Sequence, residues 1–168
     1  MKKLISIIVV FFLVFTLTGC DKLKTVSIKN EKTKSTIELS YKEKANYTLS
    51  YEKDDFRTSL EKAILLGDNF RIGFEFGTYS SGDDFSKREE RYKSYDEYKS
   101  VTYNNIKGYQ FYYPSYVRYE VVLPVNDKEY VKLNIYGKDN KVKKDETTEV
   151  YNSKTVQDIL NTIKITSK

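Results

Sequence analysis

Few residues of this chain can do nucleophilic or acid–base chemistry, and their types limit what that chemistry could be. The chain has no histidine and one cysteine, Cys20. The lack of histidine excludes Ser-His-Asp and Cys-His catalysis, two-histidine zinc sites and histidine-based pH switches. The sequence also contains no Walker, Rossmann, Gly-x-Ser-x-Gly or Cys-x-x-Cys motif. Carboxylates, lysines and tyrosines remain as the side chains that could catalyse a reaction or bind a ligand.

Carboxylates occur as neighbouring pairs at Asp54-Asp55, Asp83-Asp84 and Glu89-Glu90. Two carboxylates roughly 5–9 Å apart can hydrolyse a glycosidic bond, but sequence neighbours on a helix or strand point apart. Asp83 is predicted to cap a helix, and ion pairs are expected between the residues Asp84 and Arg88 and between Glu89 and Lys93. None of the pairs lies in the Asp-x-Asp-x-Asp-Gly loop of a calcium site. We therefore predict neither catalytic residues nor a metal site.

Tyrosine is abundant, with 16 in the chain and five within residues 108–120. Such a cluster can form a stacking platform for a sugar, a peptide or a nucleobase. The alternative is a structural role, because tyrosine is common in strands and can pack across a sheet. The structural role is favoured, and the absence of tryptophan weakens the sugar-platform version further. The candidate binding surface consists of Tyr109, Tyr112, Tyr113, Tyr116 and Tyr119.

Cys20 ends an N-terminal segment with the features of a targeting signal. Lys2 and Lys3 precede an almost wholly apolar run, Leu4 to Leu17, which is shorter than the ~20 residues needed to span a bilayer. The run ends in Leu17-Thr18-Gly19-Cys20, which resembles the lipobox of bacterial lipoproteins. The resemblance implies cleavage after Gly19, a diacylglyceryl group on the Cys20 thiol, and a mature protein anchored to the extracytoplasmic face of the cell membrane. An uncleaved anchor helix with an incidental cysteine is the alternative.

Beyond this signal the composition is that of one folded domain with a mildly basic charge. Residues 1–19 hold two lysines and no acid, so without them the net charge falls from +5 to +3. That excess is too small for nucleic-acid binding, and neither a nucleic-acid partner nor a cofactor is expected. Residues 20–35, with five lysines, are predicted to form a tether with a short strand at Val26 to Ile28. The richness in Lys, Asn, Ile and Tyr is typical of low-GC genomes and favours a Gram-positive source.

Residues 36–168 predict a single α+β domain. Ile37 to Tyr41 and Tyr47 to Tyr51 alternate as strands around the turn sequence KEKAN, which predicts a hairpin. Further hairpins are predicted around Gly67-Asp68-Asn69 and around Asn126-Asp127. The other predicted elements are strands at 63–66, 70–76, 101–103, 109–113, 117–123 and 130–136, a helix over 84–98, a charged loop over 137–149, and a helix from about Ser153 with Val156, Ile159, Leu160 and Ile163 on its apolar face. The expected fold is an antiparallel β-sheet built from hairpins and covered by a middle helix and a C-terminal helix.

The second half of this domain resembles a known family. The stretches VTYNNIKGYQFYY, YEVVLPVNDKEYVKLNIYG and SKTVQDILNTIKI are similar to the latter half of the PsbP-like domain family, over about residues 100–165. The shared pattern is a strand with Gly108-Tyr109, a long hairpin and a closing helix. The resemblance implies the PsbP-like fold and no active site, because the family has no shared catalytic set.

Together these observations predict a non-catalytic binding or accessory module at the bacterial membrane or wall. Its expected attachment is the lipid anchor at Cys20, and its expected partner is a membrane protein, a wall protein or a wall-associated ligand. A small carboxylate-dependent hydrolase acting on wall glycans is the enzymatic alternative. A structural subunit of a larger membrane assembly is the third.

Overall fold

The computed structural model describes residues 22–30, 33–51, 63–137 and 143–167. Within these ranges the strands are β1 (Leu23–Lys29), β2 (Thr36–Lys42), β3 (Thr48–Tyr51), β4 (Ala63–Leu66), β5 (Phe70–Thr78), β6 (Lys99–Tyr103), β7 (Ile106–Tyr113), β8 (Arg118–Asn126), β9 (Glu129–Gly137) and β10 (Lys164–Thr166). The helices are α1 (Phe85–Tyr92), α2 (Lys144–Asn152) and α3 (Lys154–Leu160), with a 3-10 turn at Pro114–Tyr116. Antiparallel sheets with separate helices confirm the predicted α+β class.

The larger sheet has seven strands in the order β3-β4-β5-β9-β8-β7-β6. Its longest ladder joins β5 to β9, from Phe70 opposite Gly137 to Thr78 opposite Glu129. The hairpins predicted between β4 and β5 and between β8 and β9 are both present. Alternating side chains of β9 point to one core, where Val131, Leu133 and Ile135 are buried.

The first predicted hairpin is wrong, because its two strands lie in different sheets. β2 is the middle strand of a three-stranded sheet and pairs with β1 on one edge and β10 on the other. Both edges of β2 are therefore occupied, and β3 pairs with β4 in the large sheet. β1 is also longer than the strand predicted at Val26 to Ile28, so residues 23–29 of the predicted tether belong to a sheet.

Both faces of the large sheet are covered. The face that packs against α2, α3 and the small sheet forms the main core, and we call it the core face. The opposite face packs against α1, where Phe85 and Tyr92 contact a smaller cluster around Tyr109 and Phe111; we call it the α1 face. Side chains alternate between the two faces along every strand, so neighbouring residues of one strand serve different layers.

The C-terminal helix forms as predicted, but a second helix precedes it. Ser153 caps α3 by accepting a hydrogen bond from the Val156 amide at 3.3 Å, and Val156, Ile159, Leu160 and Ile163 are all buried. Residues 144–149, which were predicted to be loop, are the first part of α2. This helix buries Thr147 and Tyr151, four residues apart, against the large sheet.

The middle helix is shorter than predicted and has a different cap. α1 ends at Tyr92, and turns follow up to Tyr98. Asp84, not Asp83, is the N-cap, because its Oδ1 accepts from the Lys87 amide at 2.8 Å. Asp83 instead forms an ion pair with Arg91.

Candidate functional site

The five tyrosines of the predicted binding surface do not form one surface. Tyr109, Tyr112 and Tyr119 are at most 3% exposed. Alternation along β7 places Tyr109 and Tyr113 on the α1 face, whereas Tyr112 belongs to the main core with Tyr119. The three buried tyrosines serve the packing of two different layers and offer no ring for a ligand to stack on.

Tyr119 lies in a hydrogen-bonded aromatic group under α2. Its ring stacks on that of Tyr151, with ring centroids 4.3 Å apart, and its hydroxyl donates to Glu97 Oε2 at 2.6 Å. Burial and this hydrogen bond raise the pKa of Tyr119 to about 12. The Tyr151 hydroxyl lies 2.7 Å from that of Tyr103 and donates to Gln110. These contacts attach α2 to the sheet.

The exposed part of the tyrosine run is the turn between β7 and β8. Tyr116 is 60% exposed, and its ring stacks on that of Tyr113 at 5.4 Å. The Arg118 guanidinium lies 4.7 Å from the centroid of the Tyr116 ring. Pro114 begins the 3-10 turn here, outside the strands, where its missing N–H costs no ladder hydrogen bond. The exposed surface that remains is small and consists of the Tyr116 ring with the Arg118 guanidinium beside it.

Next to the turn between β7 and β8, the α1 face carries buried charged residues that were not singled out from the sequence. Lys132 Nζ lies 2.8 Å from Glu75 Oε2 and 3.8 Å from Glu120 Oε2. Arg118 holds the other oxygen of Glu120 and donates to the Tyr136 hydroxyl at 2.7 Å. The only signal in the sequence was a charged residue at an alternate position in each of three apolar strands.

The acid pairs singled out from the sequence are not brought together. Glu90 forms an ion pair with Lys93, in place of the predicted pair between Glu89 and Lys93, and the Glu89 carboxylate accepts from the Tyr98 hydroxyl. Lys87, not Arg88, is the basic residue near Asp84, at 4.0 Å. Asp54 and Asp55 lie outside the described residues. Across the described ranges, no three acidic or cysteine side chains are grouped as a metal site would require.

A cavity of about 370 Å³ lies between β2, the loop that follows it, and α3. We call it the β2–α3 cavity. Apolar surface from Leu23, Ala45 and Ile159 and the rings of Tyr41 and Tyr47 form much of its lining. The remaining lining residues are polar: Ser40, Lys42, Thr155, Asp158, Asn161 and Thr162. The volume lies within the ~300–1,000 Å³ typical of small-molecule sites.

The two tyrosines of this lining differ in how their hydroxyls are bonded. Tyr41 is 4% exposed, and its buried hydroxyl has no hydrogen-bond partner among the described residues. Tyr47 stacks edge-on against Phe70 and hydrogen-bonds Thr155. Burial and the charge of Asp68 raise the Tyr47 pKa, so its hydroxyl is neutral at physiological pH. From the sequence, both tyrosines were expected only as strand residues, because nothing in it showed that α3 packs beside them.

The predicted attachment residues Gly19 and Cys20 lie outside the described residues. The described part begins at Lys22, and β1 begins at Leu23, three positions after Cys20. In that described part, the structure has no helix with the length and hydrophobicity to span a membrane.

No protein-family model matches the chain, and no curated protein matches it in sequence. Among solved structures it is similar to the solution structure of cyanobacterial PsbP (CyanoP) from Synechocystis sp. PCC 6803. The TM-score is 0.45 at 9% sequence identity, and the match covers 89% of this chain and 95% of that chain. At this identity the similarity assigns no role to any residue.

Proposed function

We propose that this protein is a lipid-anchored binding protein on the extracytoplasmic face of a bacterial membrane, and that its ligand occupies the β2–α3 cavity. The observation that carries the proposal is a cavity of ligand size, about 370 Å³, lined in part by Tyr41, whose buried hydroxyl has no hydrogen-bond partner in the described part of the chain. An unsatisfied buried hydroxyl costs about 1–3 kcal/mol, which a bound acceptor recovers. The lipobox-like Leu17-Thr18-Gly19-Cys20 supports the anchor.

The hydrolase alternative receives no comparable support. Glu75 and Glu120 share Lys132 on the α1 face, and both residues are at most 8% exposed. A glycosidase needs one carboxyl group to donate a proton and another to reach the sugar or a water. Carboxylates that are buried and paired with lysine and arginine offer neither, so these charges serve the fold.

The anchor is tested by Cys20→Ala in the full chain, expressed in a Gram-positive host. Without the thiol no thioether to diacylglycerol can form, so we expect the variant to keep its signal segment and to lose incorporation of a labelled fatty acid. Gel mobility and label in the membrane fraction report the two effects. Thr18→Ala, which leaves the thiol in place, is the matched control. Equal label in Cys20→Ala and the unchanged chain would overturn the anchor.

Binding in the cavity is tested by replacing Ala45 with the photoreactive residue p-benzoylphenylalanine. Ala45 lines the cavity from a loop, so the probe's ring points a reactive ketone at whatever occupies it. After irradiation of intact cells, we expect an adduct of low mass on the purified full chain. The same replacement at Ser86, exposed on α1, is the control. Equal adducts at both positions, or none at position 45, would count against the cavity as a binding site.

A further inference from the structure

The lining of the β2–α3 cavity suits an apolar chain more than a polar ligand. Leu23, Ala45 and Ile159 supply aliphatic surface, and the rings of Tyr41 and Tyr47 supply aromatic surface. Several hydroxyls in the lining are already engaged. Thr162 Oγ1 donates to the Ile159 carbonyl at 2.7 Å, and Ser40 Oγ lies 2.8 Å from Thr25 Oγ1. A sugar-like ligand with many hydroxyls would find few open partners here.

Basic side chains surround the end of the cavity formed by β1 and β2. Lys24 Nζ lies 6.0 Å from the centroid of the Tyr41 ring, and Lys42 is part of the lining. Lys22 and Lys44 are exposed on the adjoining residues, and the described acids nearby are Glu43 and Asp68, the second of which acts on Tyr47. Asp158 on the other side is paired with Lys154 at 3.2 Å, so its charge is offset. This end of the cavity therefore favours an anionic group.

The same end is close to the predicted lipid anchor. Leu23 is three residues from Cys20, and an extended chain spans at most ~3.6 Å per residue, so the cavity rim lies within about 11 Å of the anchored residue. Leu23 is also 62% exposed, an unusual position for a large aliphatic side chain in water. Lysines near a membrane surface are attracted to anionic lipids by about 1 kcal/mol each. With the predicted anchor in place, this end of the cavity is within reach of a ligand in the membrane surface.

We infer that the β2–α3 cavity binds a single-chain anionic amphiphile, either a fatty acid or a lysophospholipid, from the outer leaflet. This inference rests on the proposed function. The acyl chain lies against Leu23, Tyr47 and Ile159. The carboxylate or phosphate accepts a hydrogen bond from the Tyr41 hydroxyl and is held near Lys24. A volume of about 370 Å³ is at the lower end of ligand sites, which fits one acyl chain better than two.

The test uses the full chain in phosphatidylcholine nanodiscs and a diazirine-bearing palmitate as the probe. After irradiation, we expect crosslinks on the peptides that carry Tyr41 to Tyr47 and Thr155 to Thr162. Thr155→Phe, on the α3 side of the lining, narrows the cavity and should reduce the crosslink at least tenfold. Unlabelled palmitate and lysophosphatidylglycerol compete, and the one that acts at the lower concentration identifies the source of the ligand. Neutral lysophosphatidylcholine should need at least tenfold more.

Tyr41→Phe separates binding from folding. Among residues 22–30, 33–51, 63–137 and 143–167 its hydroxyl has no hydrogen-bond partner, so the variant should unfold at the same temperature as the unchanged chain or a higher one. Its apparent affinity for palmitate should fall about tenfold, because one hydrogen bond to a charged group is lost. Tyr103→Phe is the matched control: it loses the buried contact with Tyr151, so its unfolding temperature falls while palmitate labelling is unchanged.

Three results would overturn the inference: crosslinks outside the cavity, equal competition by the neutral lipid, or full labelling of Tyr41→Phe. These failures can be told apart from failure of the proposed function. If the photoreactive residue at position 45 captures a small molecule without an acyl chain, the cavity is a binding site and only the acyl inference falls. If position 45 captures nothing in cells and palmitate labels nothing in the cavity, both fall.

Discussion

At the scale of single residues, the buried ion pairs on the α1 face show that this fold depends on matched charges. The side chains of Lys132, Glu75 and Glu120 are at most 12% exposed, and Arg118 supplies the second cation. Two cations therefore face two carboxylates, and these four groups bury no net charge. A buried set of this kind contributes little net stability over an apolar core, but removal of one partner leaves a charge without compensation.

Lys132→Met should therefore lower the free energy of unfolding by about 3–5 kcal/mol, because Glu75 loses the cation that contacts it. Urea denaturation measures the change. Adding Glu75→Gln in the same chain should restore part of the loss, since no carboxylate then remains unpaired at that position. Lys154→Met, at an exposed pair on α3, should change stability by at most about 0.5 kcal/mol. If Lys132→Met costs no more than Lys154→Met, the charges are not coupled as described.

At the scale of elements, the sequence predicted best the segments whose apolar residues recur at regular spacing because one side of the segment packs against the main core. β9 alternates cleanly, and α3 carries four buried apolar residues at helical spacing or just beyond its end. Alternation identifies a strand but not its partner. The edges of β2 are taken by β1 and by β10, and β10 is more than 120 residues away, so the first hairpin could not be judged from local pattern.

α2 was not predicted because its sequence has almost no apolar residues at helical spacing. The segment KDETTEVYN buries only Thr147 and Tyr151, and its remaining residues are mostly charged or polar. The helix is fixed by tertiary contacts, above all by the stack of Tyr151 on Tyr119 and its hydrogen bonds to Tyr103 and Gln110. The candidate cavity was unpredictable for the same reason, since β1, the loop after β2, and α3 form it together only in the folded chain.

At the scale of the whole molecule, buried tyrosines are the main titratable groups of the interior. Burial raises the pKa of Tyr79 and Tyr119 to about 12, and it raises those of Tyr109 and Tyr151 further. The common cause is that the phenolate is poorly solvated in the core, and in Tyr119 the acceptor Glu97 adds to the effect. Because the chain has no histidine, no imidazole changes its charge near neutral pH.

These shifts predict unfolding in alkaline solution. The pKa of Tyr119 rises from 10.0 to about 12 on folding, so between these values the unfolded chain releases the proton while the folded chain still holds it. The stability linked to this group is fully present below about pH 10 and is lost as the pH rises to about 12, and the other buried tyrosines add in the same direction. Urea denaturation at increasing pH should show a falling free energy of unfolding, accompanied by a cooperative rise in tyrosinate absorbance. In Tyr119→Phe the fall between pH 10 and 12 should be shallower, because one linked proton is removed. A free energy of unfolding that stays constant up to pH 12 would mean that these rings are not buried as the fold requires.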